Sequence, residues 1–238
     1  MCGNRPVTYV KGMLIAEDLL LLLYDDETGK PIVGSPKLEY ALGGALLIEL
    51  TTLGKMDITA KGDGERPGRL KVLDTSSTGD AILDDRLAYA VSKAGKKPKD
   101  ILSGLSKKVR DQLLARLAQR GILEADEGKV LGLFPVTRWP AKDAQHEGEV
   151  RAALGNVLKV GTMPDERTGA LIALLSALDV VPKVITDSVD KRQLRARAKV
   201  IADSDWAAAA VKKAVAEMQA AITAAIVVSA TAGSAGSS

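Results

Sequence analysis

Two basic side chains, Lys107 and Arg110, are the groups in this sequence that are best placed to bind a ligand. They lie three residues apart in a segment, residues 106–120, whose apolar positions recur with the spacing of a helix. At roughly 100° per residue, Arg110 falls within the apolar arc of that helix, and Lys107 lies one turn earlier on the same side. The arc is defined by Leu113, Leu114 and Leu117. A guanidinium against apolar surface needs an anion or strong acceptors, because an unpaired buried charge is costly.

The residues alone leave two interpretations of this pair open. In the first, Arg110 forms an internal salt bridge with a carboxylate such as Asp111 or Asp84. In the second, the two cations bind a phosphate or a lipid headgroup. The first interpretation makes Arg110 a stabilising residue, whereas the second makes the pair a binding site.

The remaining reactive residues do not combine into a catalytic or metal-binding pattern. The single histidine, His146, is predicted to be solvated in a polar loop, and no serine elbow accompanies it. Asp25-Asp26 and Asp84-Asp85 are adjacent carboxylates, which point in different directions on a helix. The sequence contains no Cys/His metal spacing and no Gly-rich phosphate loop. It therefore predicts a protein that is not an enzyme and that uses no cofactor and no metal.

The composition favours one mainly helical domain. A chain of 238 residues can bury a sizeable core, and with 46% apolar but only 3% aromatic residues that core must consist of Leu, Ala, Val and Ile. A net charge of +3 is too small to indicate nucleic-acid binding by itself. Cys2 is the only cysteine, so no intrachain disulfide forms and a reducing compartment is expected. A bilayer span needs roughly 20 apolar residues, and the leucine run at 19–23 is too short, so any membrane contact is predicted to be peripheral.

Periodicity and helix-end residues place the elements along the chain. Helices are predicted at residues 14–24, 36–53, 81–92, 100–105, 106–120, 147–158, 168–178, 191–201 and 206–228. Short strands are predicted at 55–59 and 70–73. Residues 1–12 are expected to form a flexible N-terminus, 13–228 a single domain, and 229–238 a disordered tail. The fold class is therefore mainly α, with a central helical bundle ringed by amphipathic helices and with short β-hairpins.

Two features within these elements admit both a packing and a functional interpretation. The helix at 36–53 is apolar on nearly every face, which is typical of a buried central helix, yet it contains Gly43-Gly44. These glycines either let another element pack closely against the helix or leave open space there for a binding site. The segment 122–134 is predicted to be a hairpin with its turn at 126–129. The bulky residues of this hairpin are Val130, Leu131, Leu133 and Phe134. They either pack in the core or form an exposed tip that contacts a membrane or a second subunit.

Several stretches together resemble the Golgi phosphoprotein 3 family. They are residues 14–22 (LIAEDLLLL), 43–50 (GGALLIEL), 78–84 (TGDAILD) and 116–123 (RLAQRGIL). The match continues through 133–140 and 171–181, and it covers residues 13–228. The order and the spacing of these stretches carry the resemblance.

The resemblance implies a helical fold, a hairpin for subunit and membrane contact, and a basic pocket for the phosphate of phosphatidylinositol 4-phosphate. Two basic residues of the family pocket match Lys107 and Arg110. The pocket's Trp falls on Gly34 and its second-helix Arg falls on Gly43, so an aromatic wall and one charge are missing. Losing one charge-assisted contact removes roughly 1.5–3 kcal/mol, or about tenfold to a hundredfold in affinity.

The function implied by the resemblance is that of a peripheral membrane adaptor on the cytoplasmic face of a membrane. Its expected partners are anionic phospholipid, membrane-protein clients and other copies of the chain, and its composition suggests a bacterial relative. One alternative is a winged-helix-like nucleic-acid binder using Arg110, Arg116 and Arg120, although the low net charge argues against nucleic acid as a partner. The other alternative is a purely structural, oligomeric protein in which Arg110 is held internally.

Overall fold

A computed structural model describes residues 12–130, 134–186, 190–204, 206–207 and 209–234 of the chain. Over these ranges the protein is mainly helical, with two small antiparallel sheets of two strands each. The predicted fold class is therefore confirmed. The helices are α1 (Ile15–Leu22), α2 (Ser35–Thr52), α3 (Ala81–Val91), α4 (Pro98–Ser106), α5 (Val109–Gln119), α6 (Gln145–Gly155), α7 (Glu166–Ala177), α8 (Val181–Val184), α9 (Lys191–Asp203) and α10 (Ala209–Ser234). A π-helical segment, Asn156–Val160, continues α6.

Helix α2 is the centre of the fold. All its residues from Ala41 to Thr51 are buried, and it contacts α1, α3, α4, α5, α7 and α10. A helix that is apolar on every face is stable only when other elements surround it, because each face must leave water. The uniform apolar character of its sequence therefore explains its central position.

The first sheet follows α2 in the chain, and its first strand contacts that helix. Strands β1 (Met56–Ile58) and β2 (Leu70–Val72) pair antiparallel, with Asp57 opposite Lys71. Met56, Ile58 and Leu70 face the core, as the alternation of a half-buried strand requires. The predicted strands at 55–59 and 70–73 are thus present and slightly shorter.

The second hairpin is displaced from its predicted position. Strands β3 (Asp126–Val130) and β4 (Phe134–Arg138) pair with Val130 opposite Phe134, so the polar residues predicted to form the turn belong to the first strand. The prediction of a turn at 126–129 is wrong because Leu123 instead bridges Ala141, which carries the pairing beyond the apolar run. Residues 131–133, between the two strands, lie outside the described ranges.

The ends of the chain also differ from the sequence-based boundaries. Helix α10 continues to Ser234, so the first part of the segment predicted to be a disordered tail is helical. Alanine is the strongest helix former, and the Ala-rich composition of this region accounts for the extension. Residues 1–11 and 235–238 lie outside the described ranges.

Candidate functional site

The chain turns sharply between α4 and α5, where the predicted ligand-binding residues lie. Lys107 caps the end of α4, and Lys108 precedes α5 in a left-handed conformation with φ 60°. Such a backbone costs a residue with a side chain roughly 1–2 kcal/mol, so the surrounding packing must impose it. The prediction of one continuous helix over 106–120 is therefore wrong. Lys107 and Arg110 lie on opposite sides of a turn rather than on consecutive turns of one helix.

Arg110 lies between the beginnings of two helices. Its Nη1 is 3.3 Å from the Ser35 Oγ and 3.8 Å from a carboxylate oxygen of Glu39, both at the start of α2. Its Nε is 3.3 Å from a carboxylate oxygen of Asp111. The Arg110 side chain keeps 32% of its surface exposed, and the two acids are more exposed still. Ion pairs of this kind contribute about 0–1 kcal/mol, so they neutralise the guanidinium only weakly.

Asp84, the other acid considered as a partner for Arg110, is used elsewhere. Its carboxylate accepts hydrogen bonds from the Ser77 hydroxyl and from the backbone N–H and hydroxyl of Thr78. These bonds, led by that of Ser77, lower the pKa of Asp84. The internal salt bridge between Arg110 and Asp84 is therefore not formed.

Lys107 is exposed, and its side chain makes no hydrogen bond or ion pair with any residue of the described ranges. Lys108 beside it is also exposed. Helix α5 begins here without a side-chain cap, so its first backbone N–H groups face outward near these two cations. The start of a helix carries a partial positive charge, which adds to that of the side chains.

The two predicted glycine positions have different environments. Gly34 is exposed at the N-cap of α2, one residue before Ser35, and no atom lies within 4 Å of a Cβ built there. Gly43 is fully enclosed, because a Cβ on it would lie 2.6 Å from the Ser106 Oγ and 3.1 Å from the Ser106 backbone nitrogen. The structure therefore brings Gly34 together with Arg110 and places Gly43 beneath the end of α4. The packing interpretation of Gly43 fits this arrangement, and no open space remains for a longer side chain.

Tyr24 lies close enough to Arg110 to feel its charge, and it lines a neighbouring cleft. The pKa of this buried tyrosine is raised by its burial, and the nearby charge of Arg110 acts in the opposite direction. Tyr24 also lines a cleft of about 730 Å³ between the loop after α1, helix α6 with its π-helical extension, and the end of α8. The cleft contains cations and carboxylates in similar number, which are Asp25, Asp26, Glu27, Arg151, Lys159 and Lys183.

Glu147 is buried on α6, one turn before Arg151, which lines this cleft. Its burial raises the pKa to about 7, although the neighbouring Arg151 acts in the opposite direction. The Arg151 Nε donates to Glu147 at 2.8 Å, and its Nη1 donates to the carbonyl oxygen of Val184 at 2.7 Å. Arg151 thus joins α6 to α8 and is held in place by both contacts.

A buried network of ion pairs surrounds α1. Arg116 bridges Glu17 at 2.8 Å and Asp80 at 2.6 Å, and Arg120 also approaches Glu17. Since Arg116 and Arg120 are used internally, two of the three arginines that nucleic-acid binding would require are occupied.

His146 belongs to the same network, contrary to the prediction that it is solvated. Its Nε2 is 2.7 Å from a carboxylate oxygen of Asp18, and Arg167 donates to the second oxygen of that carboxylate at 2.6 Å. The hydrogen bond with Asp18 raises the pKa of His146. The prediction failed because Asp18 lies 128 residues away in sequence, so only the fold brings the two together.

The predicted hairpin site is described only in part. Val130 and Phe134 are paired end residues of β3 and β4, whereas Leu131 and Leu133 lie outside the described residues. Contact of these four residues with a membrane or a second subunit stays a prediction. No three His, Cys, Asp or Glu side chains in the described ranges are grouped as a metal ion requires. None of the helices described has the length and apolar composition needed to cross a bilayer.

Three residues of this site were not found from the sequence. Tyr24, Ser35 and Glu39 lie about 70 or more residues before Arg110, and no local periodicity connects them with it. The one available signal was Ser35-Pro36, which marks a helix start and hence a surface with free backbone donors.

Comparison with known proteins agrees with this architecture. The family model of Golgi phosphoprotein 3 (GPP34) matches residues 15–218. The chain therefore belongs to the Golgi phosphoprotein 3 family, a Golgi-related family of adaptor proteins.

A curated relative supports this membership. The chain is 27% identical over 174 residues to vacuolar protein sorting-associated protein 74 of Eremothecium gossypii. The match covers 65% of this chain and 51% of the relative, so the chain spans about half the length of that protein.

Proposed function

We propose that this protein is a peripheral membrane adaptor that binds the phosphate of an anionic phospholipid headgroup between Lys107 and Arg110. The observation that carries the proposal is the exposed, weakly paired guanidinium of Arg110, which lies at the starts of α2 and α5 beside the unpaired Lys107. Family membership and the name of the relative, which refers to protein sorting, support the adaptor role.

The chemistry of the site suits a phosphate. A phosphate oxygen accepts charge-assisted hydrogen bonds from a guanidinium and an ammonium, and such bonds are roughly twice as strong as neutral ones. Backbone N–H groups at the start of α5 supply further donors. The ligand has to displace Asp111 and Glu39 from Arg110, and because exposed ion pairs contribute at most about 1 kcal/mol, this displacement costs little.

The site is expected to distinguish poorly between headgroups. At Gly34 there is no side chain that could stack on an inositol ring, and at Gly43 the space for a second arginine is filled by Ser106. Charge therefore dominates recognition. Phosphatidylinositol 4-phosphate and simpler anionic lipids should bind within about tenfold of each other, because one charge-assisted contact accounts for roughly that factor.

As an adaptor, the protein acts by holding membrane-protein clients and performs no chemical step. The acids at the centre of the fold are consistent with this role, since Glu17 and Asp18 are paired with arginines and with His146. Both carboxylates are held in ion pairs that join α1 to neighbouring elements. We place the protein on the cytoplasmic face of a membrane, with the hairpin around 131–133 as a further contact for the membrane or another copy.

Co-sedimentation with lipid vesicles tests the proposal. The full chain is mixed at low ionic strength with phosphatidylcholine vesicles that contain phosphatidylglycerol or phosphatidylinositol 4-phosphate. We expect binding to both anionic compositions and no binding to phosphatidylcholine alone. The double variant Lys107→Gln/Arg110→Gln should lose most of this binding, because electrostatic attraction to an anionic surface contributes about 1 kcal/mol per basic residue.

A matched control separates the site from net charge. Lys61→Gln/Lys71→Gln removes the same charge from two exposed lysines, one in the loop between β1 and β2 and one on β2. This control should bind as the unmodified protein does. If both double variants lose binding equally, or if neither does, the site proposed at Lys107 and Arg110 is wrong.

A further inference from the structure

A second surface combines exposed apolar side chains with unpaired cations, and it lies on α9 and the loop that precedes α7. Met163 in the loop is 78% exposed and Val200 on α9 is 68% exposed. Between them runs an apolar groove of about 380 Å³. The groove is completed by Val157, Pro164, Ala196 and Ile201. Two large apolar side chains that protrude beside such a groove indicate a contact surface rather than isolated exposure.

Helix α9 is strongly basic. It carries five Lys or Arg residues and a single acid, Asp203. Arg195 pairs with Asp179, and the Arg197 Nη1 donates to the carbonyl oxygens of Leu158 and Lys159 at 2.9 and 2.7 Å. The side chains of the other three basic residues are exposed and have no partner within the described ranges, and they are Lys191, Arg192 and Lys199.

The apolar and basic residues share the outer side of α9. Leu194 and Ala198 are buried and mark the inner side. At roughly 100° per residue, Arg192 and Lys199 lie together on one half of the outer side, and Val200 lies about 80–100° further round, on the half above the groove. The outer side of the helix thus presents charge along one edge and apolar surface along the other.

We infer that α9 and the Met163 loop dock on an anionic lipid bilayer. A helix that lies in the membrane interface inserts apolar side chains at the level of the acyl chains, while Lys and Arg remain at the phosphates. Met163 and Val200 would insert at the level of the acyl chains, and Arg192 and Lys199 would remain at the phosphates. This inference rests on the proposed membrane function but uses residues separate from Lys107 and Arg110.

Charge favours a bilayer over a second copy of the chain as the occupant. In a symmetric dimer the same patch meets itself, so Arg192 and Lys199 would approach the cations of the other copy. Like charges at close range are unfavourable, whereas an anionic leaflet attracts both side chains. The groove alone would fit either occupant, and the basic edge decides between them.

Vesicle binding of the full chain tests this inference. Met163→Ser/Val200→Ser removes the apolar contact at exposed positions, and Arg192→Gln/Lys199→Gln removes the charge. We expect each to weaken binding to vesicles of phosphatidylcholine and phosphatidylglycerol by about tenfold. Only the charge variant should reduce the dependence of binding on salt. The controls are Leu73→Ser, at an apolar residue that is 52% exposed, and Lys61→Gln/Lys71→Gln.

A fluorescent label reports insertion directly. An environment-sensitive dye is attached at Met163→Cys in a Cys2→Ser background, and a second sample carries the dye at Leu73→Cys. On anionic vesicles, the label at position 163 should shift to shorter wavelength by more than the label at position 73. An equal or smaller shift at 163, or unchanged vesicle binding of Met163→Ser/Val200→Ser, overturns the inference. The inference is also overturned if light scattering shows that the unmodified protein is a dimer and that Met163→Ser/Val200→Ser is a monomer.

The results also separate this inference from the proposed function. If the unmodified protein does not bind anionic vesicles at all, both fail. If Lys107→Gln/Arg110→Gln binds normally while the α9 variants do not, the headgroup site fails and the α9 surface stands. The reverse pattern removes the α9 surface and leaves the headgroup site.

Discussion

The guanidinium of Arg110 lies 3.3 Å from the hydroxyl oxygen of Ser35, a residue 75 positions earlier in the chain. This contact places the start of α5 beside the start of α2. Both starts lack a side-chain cap, so no N-cap side chain satisfies their first backbone donors. The positive end of two helices and the charge of Arg110 therefore act together, which is why a phosphate is the ligand that this region suits.

Removing the Arg110 side chain should leave the fold nearly as stable as before. Its two acidic partners are exposed, so Arg110→Ala is expected to change the free energy of unfolding by less than about 1 kcal/mol. Urea denaturation followed by circular dichroism measures this change. A loss of several kcal/mol would instead support the structural interpretation, in which Arg110 serves the fold alone.

Adding a methyl group at two adjacent glycines of α2 should have unequal effects. At Gly43 a Cβ meets the backbone of Ser106, whereas at Gly44 it meets the flexible end of Met218 at 3.3 Å. Both changes gain about 1 kcal/mol of helix propensity, but overpacking costs about 1–3 kcal/mol where the neighbour cannot move. Thermal unfolding should thus show Gly43→Ala to be less stable than Gly44→Ala. Equal stability would indicate that α4 can move away from α2.

Breaking the buried network of ion pairs around α1 should strongly reduce the stability of the fold. Arg116→Ala leaves the buried carboxylate of Glu17 with Arg120 at 3.5 Å as its remaining cation, and removing one partner of a buried ion pair costs about 3–5 kcal/mol. Arg195→Ala, which removes an exposed pair with Asp179, is the matched control and should cost less than about 1 kcal/mol. Urea midpoints of the two variants give the comparison. Similar values for both would mean that Arg116 contributes no more than a surface residue.

Stability should fall as the pH rises through the weakly acidic range. Burial raises the pKa of Glu147 from its ordinary value of 4.5 to about 7, so between these values the folded state binds a proton that the unfolded state releases. Raising the pH across this interval therefore destabilises the fold. The raised pKa of His146 adds a loss of the same sign above its ordinary value of 6.5. Melting temperatures from pH 5 to 8 measure the trend, and Glu147→Gln should flatten its lower part. A slope that is unchanged in Glu147→Gln contradicts this assignment.

The helices were largely predictable from the sequence, and the turn within the site was not. Helix α2 was placed within one residue at each end, because its apolar pattern and Pro36 are local signals. The turn at Lys108 was missed because lysine is a good helix former and no glycine marks the left-handed residue. The π-helical segment and the short helix α8 were also missed, because neither is long enough for an apolar periodicity to mark it.

The stretches that carry the family resemblance encode the buried network more than the site. Residues 14–22 contain Glu17 and Asp18, residues 78–84 contain Asp80, and residues 116–123 contain Arg116 and Arg120. Four of these side chains pair with each other and hold α1, α3 and α5 together, whereas Asp18 pairs with His146 and Arg167. The resemblance could therefore predict the fold well, whereas the ligand depends on Gly34, Lys107 and Arg110, which lie outside those stretches.

The central claim is that a phosphate binds between Lys107 and Arg110, and an NMR titration tests it most directly. The full chain, labelled with ¹⁵N, is titrated with the soluble headgroup analogue inositol 1,4-bisphosphate. The account predicts that amide shifts change mainly at residues 34–37 and 107–111, and that these changes disappear in Arg110→Gln. Shifts that leave those residues unaffected, or that persist in Arg110→Gln, would contradict it.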